Sequence, residues 1–214
     1  MIIYIPIKKN SQRVPNKNFR LFKGKPLWEH TVDKFKDTEY NVYIDTDSQE
    51  IIDGCRDKDV TVYKRPHHLC GDAVSVIDLL KNFKNDVLEK LHITGPICQV
   101  HVTSPFLDIK HIDFAFAKMR QDGHDSIFSA DVIQNRLWRK EAYGYCPVNH
   151  NPMKLEQTQD LPKLFCENSY LYAFRQDVLD NNNRIGNNPY VLTVGYPYNL
   201  DIDTEQDWKY ISKI

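Results

Sequence analysis

The sequence has no apolar run of transmembrane length, no C-x-x-C pair of cysteines and no excess of charge of one sign. Its net charge of -1 argues against a general electrostatic attraction to nucleic acid or to an anionic membrane. The five cysteines are odd in number and widely spaced, which disfavours a disulfide framework or a structural zinc site. The apolar start at residues 2–7 is too short for a signal peptide. We therefore expect a cytoplasmic protein with no nucleic-acid or membrane partner.

Several common site motifs are also missing. Neither G-x-x-x-x-G-K-[ST] nor G-x-G-x-x-G occurs, so a P-loop or a dinucleotide-binding turn lacks support. No serine or cysteine lies in a nucleophile-elbow motif. The eight histidines have no metal-ligand spacing, since His67 and His68 are adjacent and cannot share one face of a strand or helix. Any chemistry must come from other side chains.

Apolar segments alternate with helical patterns along most of the chain. Strands are predicted at residues 2–7, 40–45, 60–63, 97–102, 126–130, 170–174 and 190–194. Helices are predicted from Pro26, around Ile51, over 76–87, over 112–119 and after Thr204, where Thr204 and Asp207 have capping-box spacing. This alternation predicts one α/β domain over residues 1–214, a three-layer sandwich with a mostly parallel sheet. Loops at the carboxyl ends of its strands are the expected ligand site.

Residues 131–165 interrupt this order. They contain several aromatic residues and prolines with little helical period, which favours an inserted lobe.

A basic segment follows the first predicted strand directly. Residues 8–25 hold seven lysines and arginines, and the first acidic residue of the chain is Glu29. Asn10, Ser11 and Asn18 are small polar residues that favour turns with free backbone N–H groups. Such a loop suits a polyphosphate, although a solvated basic loop is about equally consistent with the charge alone.

Two carboxylates lie two residues apart near the end of the chain, at Asp201 and Asp203. In an extended segment they point to the same side and could share one Mg²⁺ brought by a phosphate. A helix cap at Asp203 or Thr204 is the simpler alternative, and one carboxylate can serve both purposes. Arg65 and the T-S-P turn at 103–105 also follow strands, but each is ordinary when taken alone.

Six segments together resemble motifs of the acylneuraminate cytidylyltransferases, also called CMP-sialic acid synthetases. In chain order they are IPIKKNSQRVPNKNFR, IDTDS, KRPHHLCGD, HVTSPF, FCENSYLY and DIDTEQD. They cover nearly the whole chain, and P-N-K-N and DIDTE are the most specific. The resemblance implies a Rossmann-like core with a protruding dimerisation lobe, for which residues 131–165 are the expected segment, and hence a homodimer.

The resemblance also implies a reaction and a set of residues. The anomeric hydroxyl of a 2-keto-3-deoxy sugar acid, such as a sialic acid-like nonulosonate, attacks the α-phosphate of CTP and pyrophosphate leaves, with Mg²⁺ as the cofactor. The nucleotide-binding residues are then Lys8, Asn10, Ser11, Lys17, Asn18, Arg65, Asp72 and Ser75. The sugar-binding residues are His101, Thr103, Ser104, Arg139 and Asn168. The catalytic residues are Lys8, Lys17, Asp201 and Asp203, of which the two aspartates hold the metal.

Four positions depart from the family pattern. Lys8, His101 and Ser169 stand where the family usually has arginine, glutamine and glycine, and Thr158 stands where it has an arginine associated with the acidic substrate. A sugar carboxylate still needs a cation in a dry pocket. Arg139, in the expected lobe, is predicted to supply it.

These departures leave alternatives open. The acceptor could be 3-deoxy-octulosonate or a polyol phosphate, although the octulosonate enzymes resemble the first loop less. A homologue that binds nucleotide without turnover is the non-enzymatic alternative.

Overall fold

In the computed structural model, which describes all 214 residues, a single seven-stranded sheet forms the centre of the fold. The strands are β1 (Ile2–Ile7), β2 (Leu21–Phe22), β3 (Lys25–Pro26), β4 (Asn41–Thr46), β5 (Thr61–Lys64), β6 (Ile97–Val100), β7 (Ser126–Ile133), β8 (Trp138–Glu141), β9 (Gly144–Pro147), β10 (Leu164–Phe174) and β11 (Pro189–Thr193). The α-helices are α1 (Leu27–Asp33), α2 (Gln49–Gly54), α3 (Val76–Phe83), α4 (Ile109–Asp122) and α5 (Glu205–Ile211).

The main sheet has the strand order β5-β4-β1-β6-β10-β7-β11. Its pairs are parallel except that β10 runs antiparallel to both β6 and β7. The amino-terminal half of β10 therefore lies at the same edge as the carboxyl ends of β1, β4 and β6. That edge is where the loops with the candidate site residues meet.

Alternation along β1 divides the core between the two faces of the sheet. Ile3 and Ile5 pack into one buried cluster with residues of α1 and α4. Ile2 and Tyr4 pack into a second cluster with α3. Two apolar cores, one on each face, make the three layers that the sequence predicted.

Most element boundaries agree with the prediction within a few residues. Two differ in a way that affects the site. Strand β6 ends at Val100, so His101 lies beyond the strand instead of inside it. Strand β10 begins at Leu164, six residues before the predicted start at Tyr170.

The lobe segment 131–165 is more regular than the sequence predicted. Strands β7 and β10 continue into it and pair as far as Ile133 and Leu164. The hairpin β8–β9 lies between them. Its side chains are exposed apart from the half-buried Cys146 and Pro147, so the hairpin has no apolar periodicity of the kind that burial imposes and was not predicted.

No helix has both the length and the apolar character needed to cross a membrane. All five cysteines are free thiols.

Candidate active site

The basic segment after β1 forms a loop held at three buried points. Val14 is fully buried, and Lys17 and Asn18 lie in a short 3-10 helix with exposed fractions of 8% and 7%. The Asn18 side chain donates to the carbonyl of Lys8 at 2.8 Å, which ties the two ends of the loop together. Asn10 is exposed and Ser11 half-buried on its outer side. The predicted phosphate loop is thus a folded structure and not a solvated tail.

Lys17 points at the predicted metal ligands. Its Nζ donates to the carbonyl of Ile202 and lies 3.8 Å from Oδ1 of Asp203. Burial lowers the pKa of Lys17, while the charges of Asp201 and Asp203 act in the opposite direction. The same Asp203 oxygen lies 2.7 Å from Nη2 of Arg13. Two cations of the loop therefore converge on this acidic pair.

Asp201 and Asp203 flank Ile202, which is fully buried. The Ile202 N–H donates to the carbonyl of Thr103 at 2.9 Å, which fixes the segment against the loop after β6. Burial raises the pKa of Asp201, although a hydrogen bond from the Thr103 side chain opposes the shift. The segment thus places the charges of both carboxylates near Lys17, and their sharing of one cation stays a prediction.

The acidic pair suits an ion shared with a phosphate. No third histidine, cysteine or carboxylate completes a metal-binding cluster. Mg²⁺ commonly takes one or two carboxylates from the protein and the rest of its oxygens from phosphates and water. Two hard oxygen donors next to a cationic loop fit that pattern, and the cap of α5 is formed separately by Thr204 and Asp207.

Arg65 is held by a buried ion pair. Its Nε donates to Oδ1 of Asp45 at 2.7 Å and its Nη2 to the Asp45 carbonyl at 3.0 Å. The Tyr4 hydroxyl donates to the other carboxylate oxygen of Asp45. Asp45 is fully buried and burial raises its pKa, while the charge of Arg65 acts to lower it. The arginine is therefore fixed in one direction by β1 and β4.

Arg65 lines a cavity of about 200 Å³ together with Leu69 and Val76. Lys8 and Asp72 also line it, and they form an ion pair across its mouth. Asp72 thus joins the phosphate loop to the loop after β5. Ser75 caps α3 in a capping box with Asp78, which is consistent with the supporting role expected of it.

The predicted sugar-binding residues other than Arg139 lie where the loop after β6 meets β10. The Ser104 hydroxyl donates to the carbonyl of Ser169 at 3.4 Å. The pairing of β7 with β10 is irregular between Glu167 and Tyr172, and Asn168 lies in this bulge. The Asn168 side chain donates to Asp131 at 3.3 Å. His101, Thr103, Ser104 and Asn168 therefore come from two adjoining segments, and their binding of the sugar stays a prediction.

A chain of polar contacts fixes the protonation of His101. Nη1 of Arg184 donates to Oε1 of Gln99 at 2.9 Å. The Gln99 amide nitrogen then faces Nε2 of His101 at 2.9 Å, so this ring nitrogen accepts and the proton is on Nδ1. Burial first, and then the charge of Arg184, lower the pKa of His101 to about 3. His101 is neutral at physiological pH.

Arg139 lies apart from these residues. It is on the exposed hairpin, and its Nε donates to Oε1 of Glu141 at 3.1 Å. None of its hydrogen bonds or ion pairs reaches the acceptor side within one chain, so its role stays a prediction. Thr158 is exposed in a short 3-10 helix on the same lobe.

Three residues of the site were not singled out from the sequence: Asp45, Gln99 and Arg184. Asp45 and Gln99 are polar residues inside apolar strands, and a fully buried polar residue needs a partner. That signal could have found them. Arg184 has no local signal, since its partner Gln99 is 85 residues away in the chain.

Comparisons with known proteins identify the family of the chain. Residues 2–213 match the family model described as Cytidylyltransferase. N-acylneuraminate cytidylyltransferase A of Danio rerio is 28% identical over 204 residues, which cover 92% of this chain and 46% of that protein. The chain thus spans about half the length of that relative.

A second relative is similar in length to this chain. The CMP-N,N'-diacetyllegionaminic acid synthase of Legionella pneumophila is 25% identical over 232 residues, covering 100% of this chain and 95% of that protein. The solved structure of CMP:2-keto-3-deoxy-manno-octonic acid synthetase with CTP has the same fold, with a TM-score of 0.66, 15% identity and coverage of 99% and 96%. With a family model matched over almost its whole length, the chain belongs to the cytidylyltransferase family.

Proposed function

We propose that this protein transfers CMP from CTP to the anomeric hydroxyl of a 2-keto-3-deoxy sugar acid, a sialic acid-like nonulosonate, and releases pyrophosphate. The choice of acceptor is supported by two relatives, which are named N-acylneuraminate cytidylyltransferase A and CMP-N,N'-diacetyllegionaminic acid synthase. The observation that carries the proposal is the buried Lys17 next to Asp201 and Asp203, at the edge where the loops after β1 and β6 meet.

The proposed reaction needs charge neutralisation and alignment more than covalent catalysis. The acceptor hydroxyl forms a bond to the α-phosphorus of CTP, and the bond from that phosphorus to the bridging oxygen breaks. Lys8 and Lys17 offset the negative charge that builds on the leaving pyrophosphate. A carboxylate of the acidic pair helps to take the proton from the hydroxyl. Mg²⁺, held by Asp201 and Asp203, supplies further charge neutralisation when it is bound.

The cavity at Arg65 is the proposed base site. Its volume of about 200 Å³ and its mixed apolar and cationic lining suit one pyrimidine ring. The guanidinium is fixed by Asp45, so it can read the acceptor groups of cytosine from one direction. We expect pyrophosphate release with CTP to exceed that with UTP or ATP, and equal rates with all three would remove this assignment.

The lobe is the proposed dimer interface. Its exposed apolar side chains include Trp138, Tyr143, Met153 and Leu155, with exposed fractions between 51% and 104%. Large aromatic and methionine side chains are enriched at interfaces. A second copy would cover these side chains. It would also allow Arg139 of one copy to reach the acceptor bound by the other. We assign the reaction to the cytoplasm, in keeping with five free thiols.

The deciding experiment is pyrophosphate release with CTP, Mg²⁺ and a panel of acceptors. The panel contains sialic, legionaminic and pseudaminic acids, 3-deoxy-octulosonate and a polyol phosphate. We expect turnover with at least one nine-carbon sugar acid. Turnover with the octulosonate or polyol phosphate alone would replace the proposed acceptor. Binding of CTP without release of pyrophosphate with any acceptor would favour the alternative of a homologue that binds nucleotide without turnover.

A further inference from the structure

The acceptor side contains one largely buried cation that no carboxylate neutralises closely. The side chain of Arg184 has an exposed fraction of 17%. The nearest carboxylate oxygen, Oε1 of Glu167, is 4.0 Å from its Nη2, and that oxygen already accepts a hydrogen bond from the Tyr172 hydroxyl at 2.6 Å. Arg184 thus differs from Arg65, whose carboxylate partner lies at 2.7 Å.

The position of Arg184 is fixed by packing. Its guanidinium carbon lies 3.3 Å from the centre of the Tyr172 ring, which is a close cation–π contact. Its hydrogen bond to Gln99 uses one of five N–H donors, and none of the others is hydrogen-bonded to a carboxylate. A buried charge that is stacked and oriented but poorly neutralised is stabilised most by an anion that arrives with the substrate.

Arg184 is also linked to His101, one of the predicted acceptor residues. Gln99 joins it directly to His101, and Tyr172 stacks edge-on against the His101 ring at 6.3 Å. Tyr172 pairs with Gln99 across β10 and β6, so these side chains stand on one face of the sheet. The guanidinium of Arg184 is therefore linked through Gln99 to His101, the first residue of the loop after β6.

We propose that Arg184 binds the carboxylate of the acceptor sugar and makes the enzyme selective for sugar acids. This rests on the proposed function and deepens it. A guanidinium accepts a carboxylate in two parallel hydrogen bonds. An acceptor without the carboxylate leaves the buried cation unpaired, and such a loss discriminates strongly against the analogue.

The test compares a sugar acid with its carboxamide, which has the same shape without the charge. The ratio of kcat/KM for sialic acid to kcat/KM for the carboxamide is measured for the native chain and for Arg184→Gln. Loss of a charged hydrogen-bonded pair should lower this ratio by about 10- to 100-fold. The KM for CTP should stay within about twofold, because Arg184 has no contact with the nucleotide side.

Matched variants exclude a general effect of charge or packing. Arg175→Gln makes the same change at an exposed arginine paired with Asp177, and it should keep the native ratio. Arg184→Lys keeps the charge and loses the fork, so its ratio should lie between those of the native chain and Arg184→Gln. A native ratio in both Arg184 variants, or a collapse in Arg139→Gln with Arg184→Gln unchanged, overturns the proposal.

Direct binding separates this inference from the proposed reaction. If the native chain releases no pyrophosphate with any sugar acid, the proposed function fails. Calorimetric titration of sialic acid and its carboxamide then decides the role of Arg184. Preferential binding of the acid that disappears in Arg184→Gln supports it, and equal binding of acid and carboxamide by the native chain overturns it.

Discussion

The two halves of the site handle charge differently. On the nucleotide side, around β1, β4 and β5, Arg65 is matched by Asp45 and Lys8 by Asp72. On the acceptor side, around β6 and β10, Arg184 has its nearest carboxylate at 4.0 Å. The first half is thus ordered before any ligand arrives, while the second keeps a charge for the ligand to neutralise. In the proposed reaction CTP is always the same, whereas the acceptor must be selected among sugars. The difference in charge between the two halves fits this difference between the substrates.

The largest expected effect tests the order of the nucleotide half. Asp45→Asn leaves Arg65 as a buried charge without its carboxylate, and removal of one partner from a buried pair costs about 3 kcal/mol or more. We expect this loss in the free energy of unfolding, measured by urea denaturation, together with weaker CTP binding by the folded protein.

The control is Asp53→Asn in α2, whose partner Arg56 lies just beyond the end of that helix and is exposed like Asp53. An exposed pair of this kind contributes below about 1 kcal/mol. If both variants lost the same small amount of stability, the buried pair would not order the nucleotide half, and the contrast with the acceptor half would disappear.

The next effect concerns the boundary between the halves. Asp203→Asn and Asp201→Asn each remove an expected metal ligand, and kcat should fall by about 100-fold or more at saturating CTP and sugar. Asp180→Asn, at an exposed carboxylate that pairs with Lys84, should keep the native rate. Normal rates for both acidic-pair variants at saturating Mg²⁺ would show that neither aspartate holds a catalytic ion.

The same contrast explains why the sequence predicts the nucleotide half better than the acceptor half. The nucleotide half consists of loops at the ends of parallel strands, so continuous motifs such as residues 8–18 carry most of it. The acceptor half depends on an antiparallel strand, a bulge at Asn168 and a distant arginine. No local pattern encodes the meeting of Arg184 with Gln99, because only the strand order brings them together.

The lobe gives a third prediction, with an expected effect of intermediate size. Strands β7 and β10 lead into the lobe, so we expect a dimer formed through the hairpin to contact the acceptor half and not the nucleotide half. The double variant Tyr143→Ser, Met153→Ser removes two fully exposed apolar side chains. We expect monomers by light scattering and a rise in the sugar KM on the order of tenfold, equivalent to about 1.4 kcal/mol.

The KM for CTP in that variant should be unchanged. A native chain that is already monomeric at micromolar concentration would contradict the proposed interface. A monomeric variant with an unaltered sugar KM would show that acceptor binding does not depend on the dimer. It would also contradict the idea that the dimer brings Arg139 to the acceptor.

The smallest expected effect is on the pH dependence of stability, and it tests the polar chain of the acceptor half. The pKa of His101 falls from its ordinary value of 6.5 to about 3 in the folded protein. Between those values the unfolded chain binds more protons at this site than the folded one, so stability decreases as the pH falls from about 6.5 toward 3. The main cause is burial of the ring, followed by the charge of Arg184. A protonated ring would also direct an N–H at the Gln99 amide nitrogen, which Arg184 holds in place.

His101→Gln removes the titrating ring and keeps a polar side chain of similar reach. Its melting temperature should therefore fall less than that of the native protein between pH 7 and about pH 5.8, where the linkage amounts to about 1 kcal/mol, by about 2–4 °C for a chain of this size. His68→Gln, at an exposed position, should follow the native curve. Parallel curves for His101→Gln and the native protein would mean that His101 accepts a proton freely in the fold. Gln99 would then be free to turn, and the orientation that links Arg184 to the acceptor side would be lost.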